Sequence, residues 1–133
     1  MVLRADLQKL VDYGKKEQEI DILENKVHLR LLDIGENIEV LKEQVGMDVF
    51  WREKANKVFT LARATVMINN TAFPTLKEAK EFYNRLQEPV LNLFWEHYML
   101  LRTEQVGVVG KTQLKDDPIE KAIKEQEDGQ QKS

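Results

Sequence analysis

Residues 20–45 read IDILENKVHLRLLDIGENIEVLKEQV, and the fold of the whole chain turns on how their apolar positions are spaced. Ile20, Val27, Leu31, Ile34, Ile38, Leu41 and Val45 recur three or four residues apart, with one seven-residue step across Glu24. Steps of three and four return to the same face of an α-helix, so the spacing predicts one long amphipathic helix. In heptad terms Leu31, Ile38 and Val45 fall at position a, and Val27, Ile34 and Leu41 at d. Carrying the register back puts Glu17 and Glu24 at a, where a parallel partner would meet like charges. Val27 and Ile34 also place β-branched residues at d. Ile22, Leu23, Leu29, Leu32 and Val40 lie off the seam. The spacing therefore favours a bundle over a two-stranded coil, with Val27–Val45 packed on the chain's own later helices.

Upstream, Leu3, Leu7, Leu10 and Val11 form a short amphipathic segment ending at Gly14, which is either a separate arm or the start of the same helix. Downstream, Gly46-Met47-Asp48 reads as a turn, with a glycine suited to ending one helix and an aspartate suited to capping the next. A second helix is expected over Val49–Ile68, with Trp51, Ala55, Val58, Ala62 and Thr65 on its buried stripe. Asn69–Pro74 is dense in turn formers. Thr75 followed by Glu78 matches a capping box for a third helix, whose stripe keeps its phase to Leu101 through Pro89. A kink at Pro89 is the preferred expectation and a split the alternative. Val90–Leu101 is apolar on nearly every face, as a central or partner-covering helix is. A loop is expected over Val106–Thr112, then a short helix capped by Asp117 and a solvated tail.

The fold expected is thus all-α: an antiparallel bundle of three main helices with a long coiled-coil-like first helix, occupying 1–112, and a short C-terminal helix with a flexible tail over 113–133. At 133 residues the chain suits one domain. A charged fraction of 32% and a hydrophobic fraction of 42% fit a soluble protein. A net charge of -3 offers no general attraction to nucleic acid or anionic membrane. The absence of cysteine excludes thiolate metal sites, disulfides and cysteine nucleophiles. No secretory signal or apolar span is visible, so a cytoplasmic location without membrane insertion is the expectation.

Motifs for chemistry are weak. Gly107–Thr112 (GVVGKT) lacks the first glycine of a phosphate loop, since Gln105 stands there, and no strand precedes it. Glu24 and His28 are one helical turn apart but belong to no recognised ligand pattern. Glu36/Glu39 and Glu78/Glu81 fall short of the acidic sets of helical nucleotide hydrolases. Lys54, Lys57 and Arg63 make a sparse phosphate stripe without interleaved aromatics.

The expectation is therefore a non-enzymatic protein-interaction module without cofactor or metal: an adaptor, small structural component or regulator that self-associates or binds another protein. Candidate contact residues are Ile20, Leu23, Val27, Leu31, Ile34, Ile38, Leu41, Trp95 and Tyr98. A nucleic-acid-binding oligomer is the alternative, and a magnesium-dependent nucleotide hydrolase a more remote one.

Overall fold

The computed structural model describes residues 4–115. Among them the chain forms five helices and one three-stranded antiparallel sheet, in the order α1 (Ala5–Asp12), β1 (Glu17–Ile22), β2 (Asn25–Arg30), α2 (Ile34–Glu43), α3 (Val49–Ala64), β3 (Thr65–Ile68), α4 (Leu76–Asn84) and α5 (Glu88–Lys115). The fold is mixed α/β, which overturns the all-α bundle and its long coiled-coil-like first helix. The helix and tail expected beyond Asp117 lie outside the described residues.

The correction has a physical cause in residues 17–31. Ile20 and Ile22, then Val27, Leu29 and Leu31, alternate with Glu19, Asp21, Lys26, His28 and Arg30. That period of two puts apolar side chains on one face of a sheet. Ile20 lies opposite Val27 and Gln18 opposite Leu29, so the two strands turn the same face to the core. The other face carries a polar contact between Glu17 and His28 at 3.1 Å and an ion pair from Glu19 to Lys26 at 4.0 Å. Ile22 and Leu29, which fall off the heptad seam, are among the most buried side chains.

The strands are joined by Leu23 and Glu24, whose φ values of 47° and 68° are the left-handed pair that a tight two-residue hairpin needs. Asn25 donates its side-chain amide to the Leu23 carbonyl at 2.9 Å and steadies the turn. β3 takes the last residues expected of the second helix and pairs with β2, giving the order β1-β2-β3. Asn69 and Asn70 follow, also with positive φ, in a turn closed between Ile68 and Thr71. Asparagine tolerates that conformation better than most residues. The Asn69 side chain accepts from the Lys26 amide at 2.9 Å and donates to Asn25 Oδ1 at 2.9 Å, tying this turn to the hairpin.

The helix boundaries follow local chemistry. Asp33 caps α2 through a reciprocal box with Glu36. Gly46 has a φ of +85°, and Asp48 accepts from the Phe50 amide at the start of α3. Thr75 accepts from the Glu78 amide at 3.2 Å. The expected third helix is two, the split that stood as the alternative to the preferred kink: α4 ends at Asn84, α5 begins at Glu88, and Pro89 occupies the first turn of α5, where its missing N–H is not needed. Gly107–Thr112 lies within α5 instead of forming the expected loop.

The chain divides into two compact units. Residues 15–102 make the larger, whose core joins Ile22, Val27 and Leu29 to Val58, Leu61, Ala62 and Ala64 of α3, Ala79 and Tyr83 of α4, and Leu91, Phe94, Tyr98 and Leu101 of α5. Tyr83 and Phe94 meet edge to face at 5.5 Å between ring centroids. In the other unit, α1 has no buried residue and ends at Asp12, and Gly14, two residues on, has a φ of +86°. A Cβ at this position would lie 3.5 Å from Val109 Cγ2.

Candidate protein-interaction surface

α2 carries two distinct faces. The inner one is anchored by polar contacts on three sides of the larger unit. Arg30 of β2 donates both terminal guanidinium nitrogens to the Glu36 carboxylate, at 2.7 and 2.6 Å. The fork holds the Glu36 carboxyl below the usual carboxylate range, chiefly through the Arg30 hydrogen bond, and raises Arg30 in turn. Val40 is buried, and the Gln44 side-chain amide donates to Asn56 Oδ1 at 3.0 Å and to the Val40 carbonyl at 3.2 Å. Glu43 accepts from Lys80 of α4 at 2.6 Å and from Arg63 of α3. Burial works to raise the Glu43 carboxyl, but these two cations hold it below its ordinary value.

The outer face is apolar. At 3.6 residues per turn, Ile34, Ile38 and Leu41 fall within a sector of about 60° that no charged residue of α2 enters, and Val45 follows in the turn after the helix. Ile34 is 79% exposed, Leu41 62% and Val45 80%, with Ile38 at 45%. Beyond the Gly46 turn the chain continues into Val49, Phe50 and Trp51, which are 77%, 85% and 62% exposed. All residues from Asp48 to Lys54 are exposed, so the first turns of α3 extend past the core that its later turns cover. Lys54 sits 5.9 Å from the centroid of the Trp51 ring and 3.5 Å from Glu88. The same elements carry charges of both signs, Glu39 and Lys42 on α2 and Asp48, Arg52, Glu53 and Lys54 at the start of α3, with Glu53 3.6 Å from Lys57.

The candidate residues from the sequence therefore separate. Ile34, Ile38 and Leu41 share the outer strip, which corrects the expectation that the seam packs on the chain's own later helices. Val27 is fully buried in β2, and Ile20 and Leu31 are partly buried against the core. Leu23 is 60% exposed at the hairpin tip, apart from the α2 strip. Trp95 is half-buried, with its ring 5.6 Å from that of Tyr98. Tyr98 is buried, which pushes its phenol up, and its hydroxyl accepts from the Leu32 amide at 3.5 Å. Neither aromatic belongs to a free surface.

Sequence reasoning did not single out Val45, Val49 and Phe50 as exposed and placed Trp51, which is exposed, in the core. A signal was present in Val49-Phe50-Trp51, because consecutive helical positions point about 100° apart and cannot all share one buried stripe.

For other chemistry, the described residues hold no group of three or more His, Asp or Glu placed to bind a metal ion. The Glu24/His28 spacing belongs to a hairpin, and His28 pairs with Glu17. No helix among the described residues is long and apolar enough to cross a membrane. Comparison with protein-family models, with curated proteins and with solved structures finds no match.

Proposed function

We propose that the chain is a non-enzymatic protein-interaction module, an adaptor, structural component or regulator, that docks through the outer face of α2 and the first turn of α3. The observation that carries this is the exposed apolar set of Ile34, Ile38 and Leu41 along the outer face of α2 and Val45 in the turn that follows, with Val49, Phe50 and Trp51 exposed at the start of α3. At about 150 Å² for a fully exposed side chain, the first four expose on the order of 400 Å², within the range of about 300–600 Å² of a monomer's largest apolar patch, which is often functional.

The inner face supports the same assignment. The forked Arg30–Glu36 pair and the Glu43–Lys80 bond hold α2 in place without using the outer residues. A fixed helix presenting an apolar stripe suits helix-in-groove or helix-on-helix docking. Trp51 and Phe50 are of the residue class that forms binding hot spots or interface cores. Self-association is one form of such docking, and the cytosolic setting expected from the sequence goes with it.

The test is quantitative affinity capture from the native source with wild-type chain and with Phe50→Glu. The expected result is a defined set of proteins captured by wild type and lost with the variant, at unchanged circular dichroism. An identical captured set for both chains would overturn the proposal.

A further inference from the structure

We infer that the open edge of β1 takes a further strand, an extended segment of another protein in which Lys or Arg alternates with apolar residues. This surface is separate from the outer face of α2. In an antiparallel pair, residues that exchange backbone hydrogen bonds alternate with residues whose N–H and C=O groups point away. The Leu31 amide donates to the Lys16 carbonyl at 3.0 Å, which sets that alternation for β1. Gln18 and Ile20 therefore bond to Leu29 and Val27, while Glu17, Glu19 and Asp21 turn their N–H and C=O groups outward. The far side of β2 agrees: Lys26, opposite Asp21, turns its backbone toward β3, and its carbonyl accepts from the Asn69 amide at 2.8 Å. Among the described residues β1 pairs with β2 alone, and Glu17, Gln18, Glu19 and Asp21 are exposed. The other edge strand, β3, is four residues long and closed at its end, where Ile68 and Thr71 exchange backbone bonds of 2.9 and 3.0 Å. An unpaired row of backbone groups is a template for strand addition.

Sign selects the occupant. Every residue of β1 whose backbone faces the edge carries a carboxylate, on the sheet face away from the core. The cations behind this row, on β2, leave it net negative: Arg30 is forked on Glu36, and Lys26 is 4.0 Å from Glu19 with both side chains more than half exposed. Two β1 strands paired antiparallel about Glu19 would bring Glu17 opposite Asp21 and Glu19 opposite Glu19. Like charges directly opposite destabilise strand pairing and opposite charges stabilise it. The row thus bars a second copy at this edge and admits a strand with Lys or Arg opposite Glu17, Glu19 and Asp21. On the other face of that strand, the residue opposite the partly buried Ile20 meets the rim of the core, which suits an apolar side chain.

The probe is a dye-labelled heptapeptide of alternating lysine and valine, titrated with the full chain by fluorescence anisotropy at low salt, with amide hydrogen exchange followed by NMR. Wild type is expected to bind it, to ignore the same peptide with glutamate in place of lysine, and to gain exchange protection at the Glu17, Glu19 and Asp21 amides. Glu19→Lys reverses one charge of the row and is expected to weaken binding at least about tenfold. Glu19→Pro removes an outward N–H, a place where an edge strand tolerates proline, and is expected to weaken binding with the melting of the free chain preserved. Absence of binding, equal binding of the glutamate peptide, or binding unaffected by Glu19→Lys would overturn the proposal. Binding without protection of those three amides would also overturn it, as attraction to charge without an added strand.

Discussion

Arg30, the last residue of β2, grips Glu36 in the first turn of α2 with two nearly equal hydrogen bonds of 2.7 and 2.6 Å. One carboxylate thereby joins the sheet to the helix, while its Oε1 also accepts from the Asp33 amide at 3.2 Å in the capping box. The geometry fixes which side of α2 faces inward and, by exclusion, turns Ile34, Ile38 and Leu41 outward.

A pH dependence follows from that pair. Glu36 is held below its ordinary value of 4.5, so its contribution is fully present above the unfolded value and is lost as pH falls through the lower folded value. Glu36→Gln keeps a side chain able to complete the capping box and removes the ion pair. It is expected to lose about 1 kcal/mol at pH 7. Urea unfolding at pH 7 and below pH 4 checks this: the gap between wild type and variant should narrow in acid. A gap independent of pH would contradict it.

Tyr83 is fully buried, and its hydroxyl meets Thr65 Oγ1, which also donates to the Leu61 carbonyl at 2.7 Å. Burial raises the phenol well above its usual value, so it stays neutral. Tyr83→Phe leaves Thr65 its carbonyl partner and is expected to cost about 1 kcal/mol. Tyr83→Ala also empties the space against Phe94 and Phe82 and is expected to cost about 3–5 kcal/mol. Denaturant midpoints of the two variants measure the difference, and equal costs would count against the assigned packing.

At the hairpin tip, Leu23 and Glu24 occupy left-handed positions where a side chain costs about 1–2 kcal/mol relative to glycine. Glu24→Gly relieves that strain but frees the unfolded backbone, so a net gain of up to about 1 kcal/mol is expected. Thermal unfolding monitors it. A variant less stable than wild type would show that Glu24 contributes more to the turn than its backbone angle takes away.

The same leucine and glutamate explain why the hairpin was hard to read. A two-residue turn is usually announced by Asn-Gly or Asp-Gly, whereas Leu23-Glu24 reads as helix. Ile20, Val27 and Leu31 satisfy a helical spacing by coincidence with the strand alternation of Ile20, Ile22, Val27, Leu29 and Leu31. Side-chain oxygens and glycine geometry left clearer marks: Gly46, Asp48 and Thr75 stand where their chemistry places them. The apolar run through Leu91, Phe94, Tyr98 and Leu101 marked a central helix, and these four are buried. For the candidate surface, the seam Ile34, Ile38, Leu41 was legible as a stripe but not its direction. An apolar stripe turned to solvent has the same spacing as one turned to the core, and only the anchoring of Arg30, Val40, Glu43 and Gln44 on the opposite side distinguishes them.

That direction is tested by Leu41→Asp, with equilibrium urea unfolding measured at a concentration where wild type and variant are both monomeric. With Leu41 on the outer face, the expected loss is within about 1 kcal/mol, set by helix propensity and by an added negative charge near the helix end. A loss of about 3 kcal/mol or more, as an unpaired buried charge produces, would show the seam packed inside the molecule and contradict the account.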